Sequence, residues 1–169
     1  MARRLDYSAR FPLHTTEELY AALRSRDYWE ARVAEMRKHA PHNEVISHEV
    51  SEDGIDVVLA HTLPREMLPE IAQTVMRKDM VITRKESYSE FGEPTTAKYE
   101  ASIPAGPGSL TGTMELFTTE TGCTFRTSSE AKVYLPFIGG KLEQLMLVNL
   151  IDLFRAEAEI TDKWLSEQS

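Results

Sequence analysis

This sequence predicts an α+β fold in which a curved antiparallel sheet of about seven strands wraps around one long C-terminal helix. Three observations predict it. Strand-like alternation over Cys123 to Leu135 passes through Pro136 into roughly thirty helix-compatible residues, Phe137 to Leu165. Ahead of it lies a series of short alternating segments separated by turn formers. Only one helical region, near the N-terminus, interrupts that series. A curved sheet closed over a helix encloses a cavity, so the expected object is a container for an apolar small molecule.

The elements follow in order. Arg3 to Phe11 alternates, with Leu5, Tyr7, Ala9 and Phe11 on one face and Arg4, Asp6, Ser8 and Arg10 on the other, as in a half-buried strand. Thr15 or Thr16 offers an N-cap, with Glu17 and Glu18 placed to favour the helix dipole. Leu19, Tyr20, Leu23, Tyr28, Trp29, Val33 and Met36 then give two short helices broken near Ser25-Arg26-Asp27, and Pro41 ends them. Glu44 to Ser51 and Ile55 to Leu63 flank Glu52-Asp53-Gly54 as a hairpin. Pro64 to Arg77 reads as a loop with a short helix, a lid. Strands follow at Met80 to Ser89, Thr95 to Ile103, Leu110 to Thr118 and Cys123 to Leu135. Their separators, Phe91 to Pro94, Pro104 to Gly108 and Glu120 to Gly122, are rich in turn residues. Consecutive strands then pair antiparallel.

A chain of 169 residues fits a single domain, 1–169, able to bury about two thirds of its unfolded surface. Nineteen Lys and Arg against 27 Asp and Glu leave a net charge of -8, which repels phosphate backbones and anionic lipid surfaces. Nucleic acid is excluded as a partner, and so is stable membrane insertion, since no run of about eighteen apolar residues occurs. Met1 to Tyr7 carries charge without an apolar stretch, so no secretory signal and a cytoplasmic location are expected. The single cysteine, Cys123, permits no internal disulfide and is read as a small packing residue.

The order of elements, the Pro136-Phe-Ile-Gly-Gly140 run into the C-terminal helix and Trp164-Leu165 near its end resemble the START-like (SRPBCC) superfamily. That group contains polyketide cyclase-like and lipid-binding proteins, and the chain looks most like an uncharacterised actinobacterial branch of it. The resemblance covers essentially the whole chain and implies a helix-grip fold. It implies no catalytic motif, because the superfamily spans binders, transporters, cyclases and hydrolases.

On the C-terminal helix, Leu142, Leu145, Met146, Asn149, Leu153, Ala156, Ile160 and Trp164 form one stripe, which is expected to face the sheet. A buried amide without a partner costs on the order of 1–3 kcal/mol, so Asn149 is a candidate ligand contact, the alternative being a bond to a strand carbonyl or an internal water. Leu147, Ile151 and Phe154, with Ala158, form a second apolar run. It is expected either to make a homodimer contact or to be covered by another segment. Strand parity puts Phe125, Thr127, Ser129, Ala131 and Val133 inside, together with Leu110, Gly112, Met114 and Leu116, and Ala97, Tyr99, Ala101 and Ile103. The small members of these rows leave room for a ligand or, alternatively, let the helix approach closely.

Tyr99 and Tyr88 could present hydroxyls to a ligand or sit at the rim of a core. His61, with Leu59 and Leu63 on the same strand parity, is the best-placed interior histidine. Arg84 or Glu86 could partner it, but the parity of their strand is open. His39, His42 and His48 are close in sequence yet lie where no regular structure imposes ligand spacing, so they read as a solvated loop, with no metal expected. His14 reads as a surface residue. No phosphate loop or nucleophile elbow occurs, and no cofactor is expected.

The expected function is binding of a hydrophobic or amphipathic molecule between sheet and helix. Its site is drawn from Asn149, Tyr99, His61, Tyr88, Met114, Leu116, Phe125, Thr127, Ser129, Leu145, Met146 and Leu153, with a portal at Pro64 to Arg77 and Pro104 to Gly108. A cyclase or hydrolase on the same scaffold would need a paired acid and base facing the cavity. A module acting through Leu147, Ile151 and Phe154 would instead have its cavity filled by side chains.

Overall fold

The computed structural model describes residues 3–38, 42–68, 70–74, 77–102 and 108–168. The order is β1 (Arg3–Phe11), α1 (Thr16–Arg24), α2 (Arg26–Met36), β2 (His42–Ser51), β3 (Gly54–Leu63), a 3₁₀ turn (Arg65–Met67), α3 (Glu70–Gln73), β4 (Met80–Ser89), β5 (Thr95–Ser102), β6 (Gly108–Thr118), β7 (Cys123–Val133) and α4 (Gly139–Gln168). Seven strands form one antiparallel sheet in the order β1-β7-β6-β5-β4-β3-β2. The 30-residue α4 lies against β7 and β1, and α2 against β2. This is the helix-grip arrangement expected from the element order. The assignments made to His39, Pro41, Pro69, Val75, Ile103 and Pro104 to Pro107 lie outside the described residues.

Local chemistry explains the boundaries. Thr15 caps α1 with a reciprocal capping box, its hydroxyl accepting from the Glu18 amide at 3.1 Å while the Glu18 carboxylate returns to Thr15 N. Ser25 ends α1 and caps α2. Gly54 turns the β2–β3 hairpin at φ 149°, where a Cβ would run into the Tyr88 carbonyl of β4. The final helix begins two residues later than Phe137, which stands fully exposed at φ 69° in the turn before it. Glu143, buried in the first turns of α4, accepts from the Val133 amide at 2.8 Å and so ties the helix to the end of β7.

Tyr28, Trp29, Leu59, Leu116 and Cys123 are among the most buried side chains. The Tyr28 ring meets Trp29 edge-on at 5.3 Å and Trp164 at 5.9 Å, locking α2 to the end of α4. Burial pushes the Cys123 thiol up to about 11, which keeps it protonated and inert.

Packing overturns three expectations and decides an open one. The buried face of α4 carries Leu142, Glu143, Leu147, Leu150, Phe154, Glu157, Thr161 and Leu165; Leu142 apart, the helix is rotated by about 100°, one residue's step, from the predicted stripe. Leu147 and Phe154 are therefore core residues and Ile151 is half-buried, so of the two alternatives for the second apolar run, cover by another segment is met by the chain's own sheet. Asn149 is exposed on the outer side. His14, expected at the surface, is buried, with Nδ1 3.2 Å from Glu18 and Nε2 3.5 Å from Asp162 on α4.

Candidate functional site

The interior of the sheet holds four buried charges. Alternation along β4 sends Lys85 outward and Arg84, Glu86 and Tyr88 inward. The α2 helix brings Arg32 to the same place, and the sheet-facing row of α4 brings Glu157. Arg84 grips Glu157 with both terminal nitrogens, at 2.8 and 3.2 Å, in the fork geometry that guanidinium and carboxylate share. Arg32 Nη2 reaches the same carboxylate at 2.7 Å. Arg84 Nε lies 3.1 Å from Glu86 Oε2, and Tyr88 donates its hydroxyl to Glu86 Oε1 at 2.5 Å.

A relay of neutral groups extends the cluster. Arg32 Nη1 donates to the Tyr28 oxygen at 3.4 Å, Tyr28 donates to Thr161 at 2.6 Å, and Thr161 donates to the Glu157 carbonyl at 2.8 Å. Aromatic faces complete the guanidinium environments: Arg32 stacks 4.8 Å from the Trp29 ring centroid, and Arg84 lies 5.6 Å from Tyr99 and 5.8 Å from Phe154.

The electrostatics follow from that packing. Burial alone would raise the Glu157 carboxyl, but the guanidiniums of Arg32 and Arg84 outweigh it and lower it to about 2. Glu157 therefore has no proton to give near neutrality and acts as a charge partner. Burial and the adjoining Glu86 carboxylate both push the Tyr88 hydroxyl well above its ordinary range.

His61, on β3, donates Nδ1–H to the Asn43 side-chain oxygen, which leaves Nε2 a lone-pair acceptor that is buried and has no partner. Burial, then the nearby Arg84 charge, lowers its pKa from 6.5 to about 4. The unfolded chain therefore binds the proton first, and His61 stabilises the fold fully only above pH 6.5. That contribution, about 3 kcal/mol, is lost as pH falls from 6.5 toward 4. Urea unfolding of His61→Gln across that interval should give a flatter stability curve than the parent. Parallel curves would place the loss elsewhere.

Above the charged cluster lies a cavity of about 60 Å³. Arg32, Arg84, Glu86, Tyr88 and Glu157 form its polar floor; Tyr7, Phe11, Phe125 and Phe154 supply aromatic lining, joined by Leu19 and Leu23 of α1, and the cavity is partly open. Its size suits a few waters, whereas pockets for drug-sized ligands measure roughly 300–1,000 Å³. A wider groove of about 840 Å³ crosses the outer face of the sheet, lined mainly by outward charged and hydroxyl side chains such as Lys85, Lys98, Glu100, Thr111 and Glu130. Polar and apolar surface contribute about equally to its lining.

Tyr88, Met114, Phe125 and Thr127 line the interior cavity. Leu116 is buried core beside it. Leu145, Met146 and Leu153 are half-buried along the margin of α4, because the helix turns Leu147, Leu150 and Phe154 inward in their place. His61 lies outside the lining, paired to Asn43. Tyr99 and Ser129 lie outside that lining and border the outer groove instead, and their hydroxyls bond each other at 2.5 Å. The Tyr99 ring lies across Gly112, and a Cβ there would collide with it. The small residues at Gly112 and Ser129 thus make room for a tyrosine, not for a ligand. Among the described residues of the portal expected at Pro64 to Arg77 and Pro104 to Gly108, none lines the cavity. His48 donates to the Leu23 carbonyl at 3.0 Å and serves packing.

Sequence reasoning missed Arg32, Glu157, Tyr28 and Thr161. The available signal was register: Glu143, Glu157 and Thr161 recur three or four residues from Leu147, Leu150, Phe154 and Leu165, in one row of the helix.

The chain is 31% identical over 172 residues to Uncharacterized protein Rv0481c of Mycobacterium tuberculosis (strain ATCC 25618 / H37Rv), covering 98% of each. Among solved structures, TTHA0849 from Thermus thermophilus matches with a TM-score of 0.63 at 14% identity, over 100% of this chain and 99% of that one. The di-domain ARO/CYC StfQ from the steffimycin biosynthetic pathway matches with a TM-score of 0.64 at 13% identity, over 99% of this chain and 52% of that one. These two likenesses establish a shared fold. No helix among the described residues is long and apolar enough to cross a membrane. The model of the family described as "Protein of unknown function (DUF2505)" matches residues 6–165, and the chain belongs to that family.

Proposed function

We propose that this protein, as a single START-like domain, binds a small amphipathic molecule between the sheet and α4, its apolar body against Phe11, Phe125 and Phe154 and its polar end on the floor of Arg32, Arg84, Glu86 and Glu157. One observation carries the reading: a cavity whose walls are aromatic has a floor of four buried charges. Stability alone gives little reason for such a floor, because removing charges from water costs several kcal/mol each and an apolar filling of equal volume is often as stable. A polar anchor at the base of an apolar recess is what ligand sites use to fix orientation. The fold shared with the di-domain ARO/CYC StfQ supports the reading by analogy of scaffold. At about 60 Å³ the cavity is smaller than such a ligand, and occupation requires its lining, including Leu19 and Leu23 of α1, to move apart.

Native mass spectrometry of the intact chain, purified without denaturant, tests this. A retained small-molecule adduct that disappears in Phe125→Trp, which fills the recess, is the expected result. A bare mass under conditions that preserve the fold, together with no small molecule raising the unfolding temperature, would end the proposal.

A further inference from the structure

Resting on that reading, we propose that the polar end of the ligand is an uncharged hydroxyl donated to Glu86, and that the site discriminates against carboxylates. The hydrogen-bond inventory of the floor carries it. Glu157 accepts from both terminal nitrogens of Arg84 and pairs with Arg32 Nη2, while Arg32 Nη1 is turned to Tyr28. Glu86 Oε1 accepts from Tyr88. Glu86 Oε2 is buried and accepts no hydrogen bond: Arg84 Nε is 3.1 Å away without the alignment of one, and Arg32 Nη2 is 4.0 Å away.

A carboxylate oxygen with unused lone pairs in a cavity wall calls for a donor. A hydroxyl supplies one. Arg84 Nε is likewise buried without a hydrogen-bond partner, so a hydroxyl can accept from it while donating to Glu86 Oε2, whereas a carboxylate ligand brings no donor for that oxygen.

Charge gives the same answer. Two guanidiniums face two carboxylates, so the floor is balanced as it stands. An anionic ligand would add a buried negative charge without a free counter-ion, and an ammonium would leave one positive charge in excess. The aromatic walls formed by Tyr7, Phe125 and Phe154 favour a ring as the apolar body. The ligand class is therefore a neutral aryl alcohol or phenol.

Calorimetric titration of the intact protein at pH 7 with 2-naphthol, 2-naphthoate and naphthalene tests it. Binding of 2-naphthol at least about tenfold tighter than either of the others is expected, the margin of one hydrogen bond to a charged group. Glu86→Gln removes one negative charge and should bring naphthoate level with naphthol or ahead of it. Naphthoate binding the parent as tightly as naphthol, or naphthalene equalling it, would overturn the hydroxyl assignment and leave the container reading intact. Binding of none of the three would overturn both. An unchanged ranking in folded Glu86→Gln would remove Glu86 from the role. Should that variant not fold, the ranking in the parent decides alone.

Discussion

Replacing Glu157 with glutamine should lower the unfolding free energy by about 3–5 kcal/mol, measured by urea denaturation at pH 7, because it strands Arg32 and Arg84 with a single carboxylate between them. The side chain keeps its size, so the loss is electrostatic, not a packing defect. The acid limb should change with it. Glu157 is lowered to about 2 against an ordinary 4.5, so its stabilisation is present above pH 4.5 and drains away as pH falls toward 2. The variant should lack that limb. A further substitution separates stability from function: Arg32→Met, Arg84→Met, Glu86→Gln and Glu157→Leu together remove every buried charge of the floor. That fourfold variant should recover most of the stability lost in Glu157→Gln while binding no 2-naphthol. A loss below about 1 kcal/mol for Glu157→Gln would mean that water reaches the floor and screens it. The burial of the four charges would then be wrong.

The contrast between those variants also explains what could be read from the sequence. Strand boundaries were legible because alternation and turn residues are local: Arg3–Phe11 and Met80–Ser89 fall where their patterns begin and end. Parity was equally legible on β6 and β7, where Met114, Thr127 and Ser129 point inward. The face of α4 was not. Hydrophobic counting sends Glu157 and Thr161 to solvent, and only partners 73 to 133 residues away in the chain, Arg84 and Tyr28, make their burial tolerable. The same limit hid the inward turn of Arg84 and Glu86, whose strand alternates charge with Ile82 and Tyr88 and so names no face. Gly112 and Ser129 were ambiguous for another reason. A missing side chain is equally a void or a berth, and the Tyr99 ring from the neighbouring strand occupies the space.

Phe154→Ala is expected to cost about 3–5 kcal/mol, the range for deleting a large buried ring when the surroundings cannot collapse. Collapse is obstructed here because the ring is held on several sides: its centroid is 5.8 Å from Tyr7 and 6.3 Å from Tyr99, and the Arg84 guanidinium lies over it at 5.8 Å. Phe154 is also a wall of the cavity, so the lost volume adds to the recess above the charged floor. A larger recess with the same floor should bind 2-naphthol more tightly than the parent. Ligand that binds only the folded state raises stability by mass action, about 2.7 kcal/mol at a hundredfold excess over Kd. Thermal unfolding of parent and Phe154→Ala, each with and without 2-naphthol, checks both halves. The variant should melt lower alone and regain more of its stability on addition of the phenol than the parent gains. If it melts lower and naphthol restores nothing, the space beneath α4 has filled with neighbouring side chains, and a ligand site between helix and sheet is untenable. If it melts at the parental temperature, Phe154 does not hold α4 to the sheet, and the packing described for this helix is wrong.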